Sequence, residues 1–207
     1  MINKADRPAS LAGLPGRTRL SRVQRRTPRR GAKKFLTLTA VVGLVFAGLP
    51  AAIAQAAPSR FADGFEGNPA QRWEPLTSGD GRADFDLAQG LARSGADNGW
   101  LYAGQGWAAQ RIAVPVGGWP ERSSCVAEIY AQPVGGGAQV ALEIWDPNGW
   151  HKLTSTAPFL PGSGYQRIRT SRIDLRRLDT VYVQAIFGKD DGARQFVRLD
   201  DVSLRCS

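Results

Sequence analysis

Between residues 126 and 152 apolar and polar side chains alternate with a period of two, a spacing that suits a half-buried strand and not a helix. In 126–132 and again in 139–145 one alternate set is apolar, with Val140, Leu142 and Ile144 in the second run. The other set carries Glu128, Tyr130 and Gln132, then Glu143 and Trp145. Gly135, Gly136 and Gly137 supply backbone freedom for a reversal, and Asp146-Pro147-Asn148-Gly149 has proline and glycine where a tight turn wants them. The stretch predicts a β-meander whose apolar set faces a core. Glu143 and Trp145 are then expected to project beside Glu128 and Tyr130 of the neighbouring strand.

Similar short runs recur on both sides. Ala83, Phe85 and Leu87 alternate, as do Ile112, Val114 and Val116; 100–103, 165–170, 180–187 and 196–205 are β-type runs bounded by turn residues. No amphipathic helix of three turns appears after residue 57. Eight or nine antiparallel strands with turn punctuation predict an all-β sandwich. A sandwich of about 150 residues buries roughly 68–70% of its unfolded surface, enough for a core without a metal or many crosslinks.

The net charge of +9 is unevenly placed. Residues 1–56 hold eleven of the 27 Lys and Arg but one of the 18 Asp and Glu, which leaves sixteen bases against seventeen acids beyond them. A near-neutral folded part lacks the clustered cations that a phosphate backbone demands, so no nucleic-acid partner is expected. Arg167, Arg169, Arg172, Arg176 and Arg177 form a local basic run, but Asp174 and Asp179 interrupt it, as on a solvated face. In the leader, a basic segment is followed by an uncharged apolar run over 35–54 and then Ala54-Gln55-Ala56. Basic, apolar, small-x-small is the order of a secretory signal, so residues 1–56 are expected to be removed and residues 57–207 exported, with no membrane attachment afterwards. Arg29-Arg30 raises the twin-arginine route, but Phe35-Leu36 lie too far from the pair, and the general secretory route is expected.

Cys125 opens one strand and Cys206 closes the last. In an exported chain two such cysteines are expected to form a disulfide, and with a single histidine, His151, they match no zinc pattern.

Asp63-Gly64-Phe65-Glu66-Gly67 ahead of Trp73, then Ala92-Arg93-Ser94-Gly95 before Trp100-Leu101, and the terminal Leu199-Asp200-Asp201-Val202-Ser203-Leu204 together resemble the cellulase-C-like carbohydrate-binding modules of families four, nine and twenty-two. The resemblance covers nearly all of residues 60–206; its ends match well and its middle loosely. It implies a jelly roll of the galactose-binding type with Trp73 inside the core; a monomer is expected. It also implies a structural calcium ion held by Glu66 and Asp200, and calcium does take six to eight oxygen ligands from carboxylates and loop carbonyls. The alternative reading of Asp200 and Asp201 is that they blunt an edge strand.

The resemblance further implies a sugar site on a sheet face or at strand-end loops. The alternation supplies the candidates Glu128, Tyr130, Glu143, Trp145, Arg167, Tyr182 and Gln184, each opposite the apolar set of its own strand. Sugar rings expose an apolar CH face and a rim of hydroxyls, which aromatic platforms and Arg, Gln or Glu groups match together. Trp107, Trp119, Trp150 and His151, beside glycines or prolines, are expected in loops where they line a site or cover the core. The expected function is non-catalytic polysaccharide binding. Its rivals are a cell-wall-associated interaction protein that binds no sugar, and a glycosidase. The latter would use Glu128 and Glu143 on adjacent strands, near the 5–5.5 Å that retaining enzymes require. Glu143-Ile144-Trp145-Asp146 fails the Glu-x-Asp-x-x-Glu pattern of jelly-roll hydrolases, and neither a nucleophile elbow nor a phosphate loop is present.

Overall fold

The computed structural model describes residues 60–207, so the expected leader and its cleavage point lie outside the described residues. Thirteen strands follow one another: β1 (Arg60–Asp63), β2 (Trp73–Gly79), β3 (Arg82–Asp86), β4 (Asn98–Ala103), β5 (Gly106–Pro115), β6 (Cys125–Val134), β7 (Ala138–Gln139), β8 (Ala141–Asp146), β9 (His151–Thr156), β10 (Phe159–Leu160), β11 (Gln166–Arg169), β12 (Thr180–Lys189) and β13 (Gln195–Cys206). A single 3-10 turn, Pro69–Gln71, is the only helical element among the described residues. None of these elements is a helix long and apolar enough to cross a membrane.

The strands make two antiparallel sheets, which bears out the sandwich expectation. The first runs β11-β6-β13-β4-β3 with β1 beside β13, and the second runs β2-β5-β12-β8-β9; β7 and β10 form a small separate pair. Inward residues of both sheets, among them Leu101, Ile129, Val197 and Leu199 from the first and Ile112, Leu142, Ile144 and Val183 from the second, join one buried cluster. Trp73 is buried at 3% exposure and stacks on Phe65, ring centroids 4.5 Å apart. Gly99 makes room for that stack, because a Cβ there would stand 2.7 Å from the Phe65 ring.

The meander over 126–152 is corrected in its first half. β6 and β8 are not neighbours: after Gly135 and Gly136, both at positive φ, the chain leaves the first sheet and enters the second. A two-residue period fixes which way side chains point, not which strand lies alongside, and a triple glycine permits a crossing as readily as a hairpin. Only β8 and β9 form the expected hairpin, through Asp146-Pro147-Asn148-Gly149. In consequence Glu128 and Tyr130 lie on the outer face of one sheet, and Glu143 and Trp145 on the outer face of the other. Sheets pack about 10 Å apart, so the core separates Glu128 from Glu143 by more than a retaining pair allows.

β13 is a central strand, not an edge. It pairs with β6 on one flank, and on the other with β4 over 195–199 and then β1 over 202–205. The change of partner falls at a bulge between Asp200 and Ser203. At the far end Cys125 and Cys206 are bonded, their Cα atoms 4.0 Å apart across 81 residues of sequence. Closure of such a loop lowers the entropy of the unfolded chain by roughly 4.5 kcal/mol in the chain-entropy model. Reduction, or Cys125→Ser with Cys206→Ser, is therefore expected to lower the melting temperature by roughly 9–18 °C, measured by circular dichroism.

Candidate functional site

Cross-strand partners in an antiparallel sheet share a face, so register alone sorts the outer surface of the second sheet into rows. One row is apolar: Leu76, Ala109, Ile186 and Ala141 stand in register across β2, β5, β12 and β8. The next is polar: Glu74, Arg111, Gln184, Glu143 and Ser155. A third holds Ala113, Tyr182, Trp145 and Lys152. Trp107, two residues along β5 from Ala109, closes the apolar row at its other side and lies on a strand, not in the loop expected for it.

Four of the seven candidates, Glu143, Trp145, Tyr182 and Gln184, meet on this face. The Glu143 carboxylate is 6% exposed and accepts from Lys152 Nζ (2.7 Å), Trp145 Nε1 (2.8 Å), Gln184 Nε2 (3.3 Å) and Ser155 Oγ (3.3 Å). Its lone pairs are used by the protein, so its role here is to hold Trp145, Lys152 and Gln184 in place. Beside it the indole of Trp150 stacks on Tyr182 with centroids 5.6 Å apart and planes 18° from parallel. The Arg111 guanidinium lies 4.3 Å from the Tyr182 centroid and 5.0 Å from that of Trp150, and is anchored by Glu74 at 2.6 Å. Trp150 is 58% exposed, the most of the six tryptophans. It sits in the β8–β9 turn at φ 49, a left-handed conformation that costs an aromatic residue.

The other three candidates lie on the first sheet. Arg167 and Tyr130 are cross-strand partners on β11 and β6, and the Arg93 guanidinium covers the Tyr130 ring at 3.6 Å. Glu128 faces Arg169 at 3.4 Å and Arg205 at 3.8 Å. Of the aromatics expected in loops, Trp119 packs partly buried against the core, and His151 opens β9 with Nε2 3.6 Å from Asp146. Sequence reasoning missed Arg111 altogether; its signal was the same alternation, on β5, where Trp107, Ala109, Arg111 and Ala113 form the outward set.

Glu66 and Asp200 do converge, on the segment 93–97. Asp200 Oδ2 accepts from the backbone N–H groups of Arg93 (2.7 Å) and Ser94 (2.9 Å), and Glu66 Oε1 from those of Ala96 (2.8 Å) and Asp97 (3.1 Å). Burial pushes the Asp200 carboxyl above its ordinary range, although backbone donors and the neighbouring Asp201 also act on it. Among the described residues no group of three acidic, His or Cys side chains gathers as a metal cluster. The two carboxylates nevertheless supply hard oxygen at a loop that also offers carbonyls, a donor chemistry that suits calcium.

The fold is that of the carbohydrate-binding β-sandwich modules. Similar solved structures include the module TmCBM61 in complex with β-1,4-galactotriose, 12% identical with a TM-score of 0.52 over 70% of this chain and 94% of that one. The CBM22-1 xylan-binding domain of Paenibacillus barcinonensis Xyn10C is 15% identical, with a TM-score of 0.52 over 74% of this chain and 97% of that one. A family 11 module from Clostridium thermocellum in complex with a β-1,3-1,4-mixed-linked tetrasaccharide is 14% identical, with a TM-score of 0.50 over 73% and 98%. At such identities the likeness is one of fold. No protein-family model matches the sequence, and no curated protein matches it either.

The four partners of Glu143 lead to an expectation that separates scaffolding from ligand contact. Glu143→Ala leaves the buried Gln184 amide without its carboxylate acceptor and is expected to destabilise the fold by about 1–3 kcal/mol, read as a shift in the denaturant midpoint without any ligand present.

Proposed function

We propose that the domain is an exported, non-catalytic module that binds a β-linked polysaccharide across the outer face of its second sheet. The observation that carries this reading is the Trp150–Tyr182 stack, with Trp150 exposed and Arg111 held against both rings. Stacked aromatics offer the CH faces of pyranose rings a flat, rigid partner, and the N–H groups that Arg111 and Lys152 do not spend on Glu74 and Glu143 remain as donors to hydroxyls. The fold likeness to modules solved with galactotriose and with a mixed-linked tetrasaccharide supports the reading without specifying the sugar. The apolar leader followed by Ala54-Gln55-Ala56 supports export, and the Cys125–Cys206 bond is the kind of crosslink that persists in oxidising compartments.

The reading is tested by isothermal calorimetry and pull-down with xylan, β-1,4-galactan and mixed-linkage β-glucan. Trp150→Ala and Tyr182→Ala are each expected to cost on the order of 1–3 kcal/mol of binding, with melting temperature nearly unchanged for Trp150→Ala because that ring is mostly outside the core. A wild-type protein that retains none of these polymers, nor any glycan of a broad array, returns the interaction-protein reading. Release of reducing sugar that Glu143→Gln abolishes would overturn the non-catalytic assignment.

The proposal includes a structural calcium ion held by Glu66 and Asp200, with loop carbonyls completing its coordination. A ligand that binds only the folded state adds RT ln(1 + [L]/Kd), about 2.7 kcal/mol at a hundred times Kd, and chelation is expected to lower the melting temperature by roughly 5–11 °C. Equal melting of wild type in calcium and in chelator would remove the ion from the proposal.

A further inference from the structure

The outer face of the first sheet carries an aromatic groove of about 310 Å³, lined by Asp86, Leu91, Trp100, Val134, Phe196 and Arg198. That volume lies at the lower end of small-ligand sites. Register again resolves the surface. Asp84, Trp100, Arg198 and Gln132 stand in one row across β3, β4, β13 and β6, and Arg82, Tyr102, Phe196 and Val134 in the next. Phe196 packs edge-on to Trp100 at 5.8 Å and tilted on Tyr102 at 4.9 Å, and is itself 46% exposed. Tyr165 donates its hydroxyl to the Leu91 carbonyl at 2.9 Å, which fixes the loop that forms one wall.

The polar groups here differ from Glu143 in one respect. The Arg198 side chain makes no hydrogen bond or ion pair among the described residues, so its guanidinium remains available beside an aromatic surface. Asp84 uses one carboxylate oxygen on the backbone N–H of Phe85 and leaves the other unused, and it is exposed. Two acids, Asp84 and Asp86, balance two bases, Arg82 and Arg198, around the rings. A polyanion would meet the acids, and an apolar peptide would bury Arg198 without a partner. An uncharged, hydroxyl-rich ring matches the donors, the acceptors and the aromatic faces together.

We propose that this groove is a second glycan-binding site, specific for a neutral pyranose chain, on the opposite side of the sandwich from the Trp150–Tyr182 face. With a site on each outer surface, one domain bridges two polysaccharide segments. The site does not depend on the first: either face can fail without the other.

The experiment uses the same three polymers, xylan, β-1,4-galactan and mixed-linkage β-glucan, in affinity electrophoresis and in a turbidity assay that reports crosslinking of soluble polymer. Trp150→Ala is expected to leave residual retention, which Trp100→Ala or Arg198→Ala, added to it, lowers a further tenfold or more. Wild type is expected to cloud polymer solutions, and either single-face variant to bind without clouding them. Because Trp100 is half-buried, the more exposed Phe196→Ala serves as a second probe, and circular dichroism confirms folding of each. Loss of all retention in Trp150→Ala alone, or full retention and clouding by Trp100→Ala and Arg198→Ala, overturns the second site. A shift from dimer to monomer in Phe196→Ala by analytical ultracentrifugation, with glycan binding unaltered, likewise overturns it and assigns the groove to a protein contact. Were the first site absent and this one real, Trp150→Ala would match wild type while Arg198→Ala abolished retention.

Discussion

The seam in β13 at Asp200 and Asp201 is the constraint on which the first sheet depends. A strand of twelve residues keeps one neighbour, β6, along nearly its full length and exchanges the other, so β4 stops where β1 begins. At such a point the ladder has gaps, and buried backbone donors without acceptors are costly. The bulge turns Asp201 into a left-handed conformation at φ 46 and aims both carboxylates at the 93–97 segment. With Glu66 from the start of the domain, they satisfy four backbone N–H groups of that segment, and the Arg93 guanidinium pairs with Asp201. The first and last parts of the described residues are thus joined through the 93–97 segment. The same loop leads back to Leu91 and the groove wall, so a structural seam also shapes a surface.

The sandwich leaves two outer faces on which polar side chains meet different fates. On the second sheet Glu143 is enclosed by Trp145, Lys152, Ser155 and Gln184, and a carboxylate with that many donors is part of the scaffold. Arg111 is in an intermediate state, tied to Glu74 on one side and open to the rings of Tyr182 and Trp150 on the other. On the first sheet Glu128 is shared between two arginines at long range, whereas Arg198 stands unpaired beside Trp100 and Phe196 among the described residues. A side chain's chemistry fits it for a ligand only where the fold has not already used that chemistry.

Much of the fold was legible because the two-residue period survives in single strands. The inward sets of β6, β8, β12 and β13, the buried Trp73 and the Cys125–Cys206 bond all stand where the residues pointed. Pairing was not legible, because β6 and β8 carry the same pattern whether they lie side by side or across a core. That one ambiguity divided the expected binding face into two. Trp100, Tyr102 and Phe196 were hidden for a different reason: 100–103 is apolar throughout, so its inward Leu101 and its outward rings look alike until β13 and β3 are set beside them. Trp150 follows a glycine in a turn, a context shared by lids and by binding platforms, and only its stacking on Tyr182 separates the two.

That stacking has an energetic consequence for the turn that presents it. A non-glycine residue at φ 49 carries backbone strain of order 1–3 kcal/mol, and a surface turn under no other demand would relieve it with glycine or asparagine at that position. Asn148 and Gly149 are the two residues before it, so the conformationally permissive residues stand ahead of the strained one and not at it. What opposes relaxation is the contact of the indole with Tyr182 and the Arg111 guanidinium, with Asn148 N–H held to Asp146 Oδ1 at 2.8 Å on the preceding side. The indole is therefore held in place before any ligand arrives. If, as proposed, a sugar ring is laid on it, the platform has little freedom left to lose, and less of the contact energy is offset by ordering the side chain.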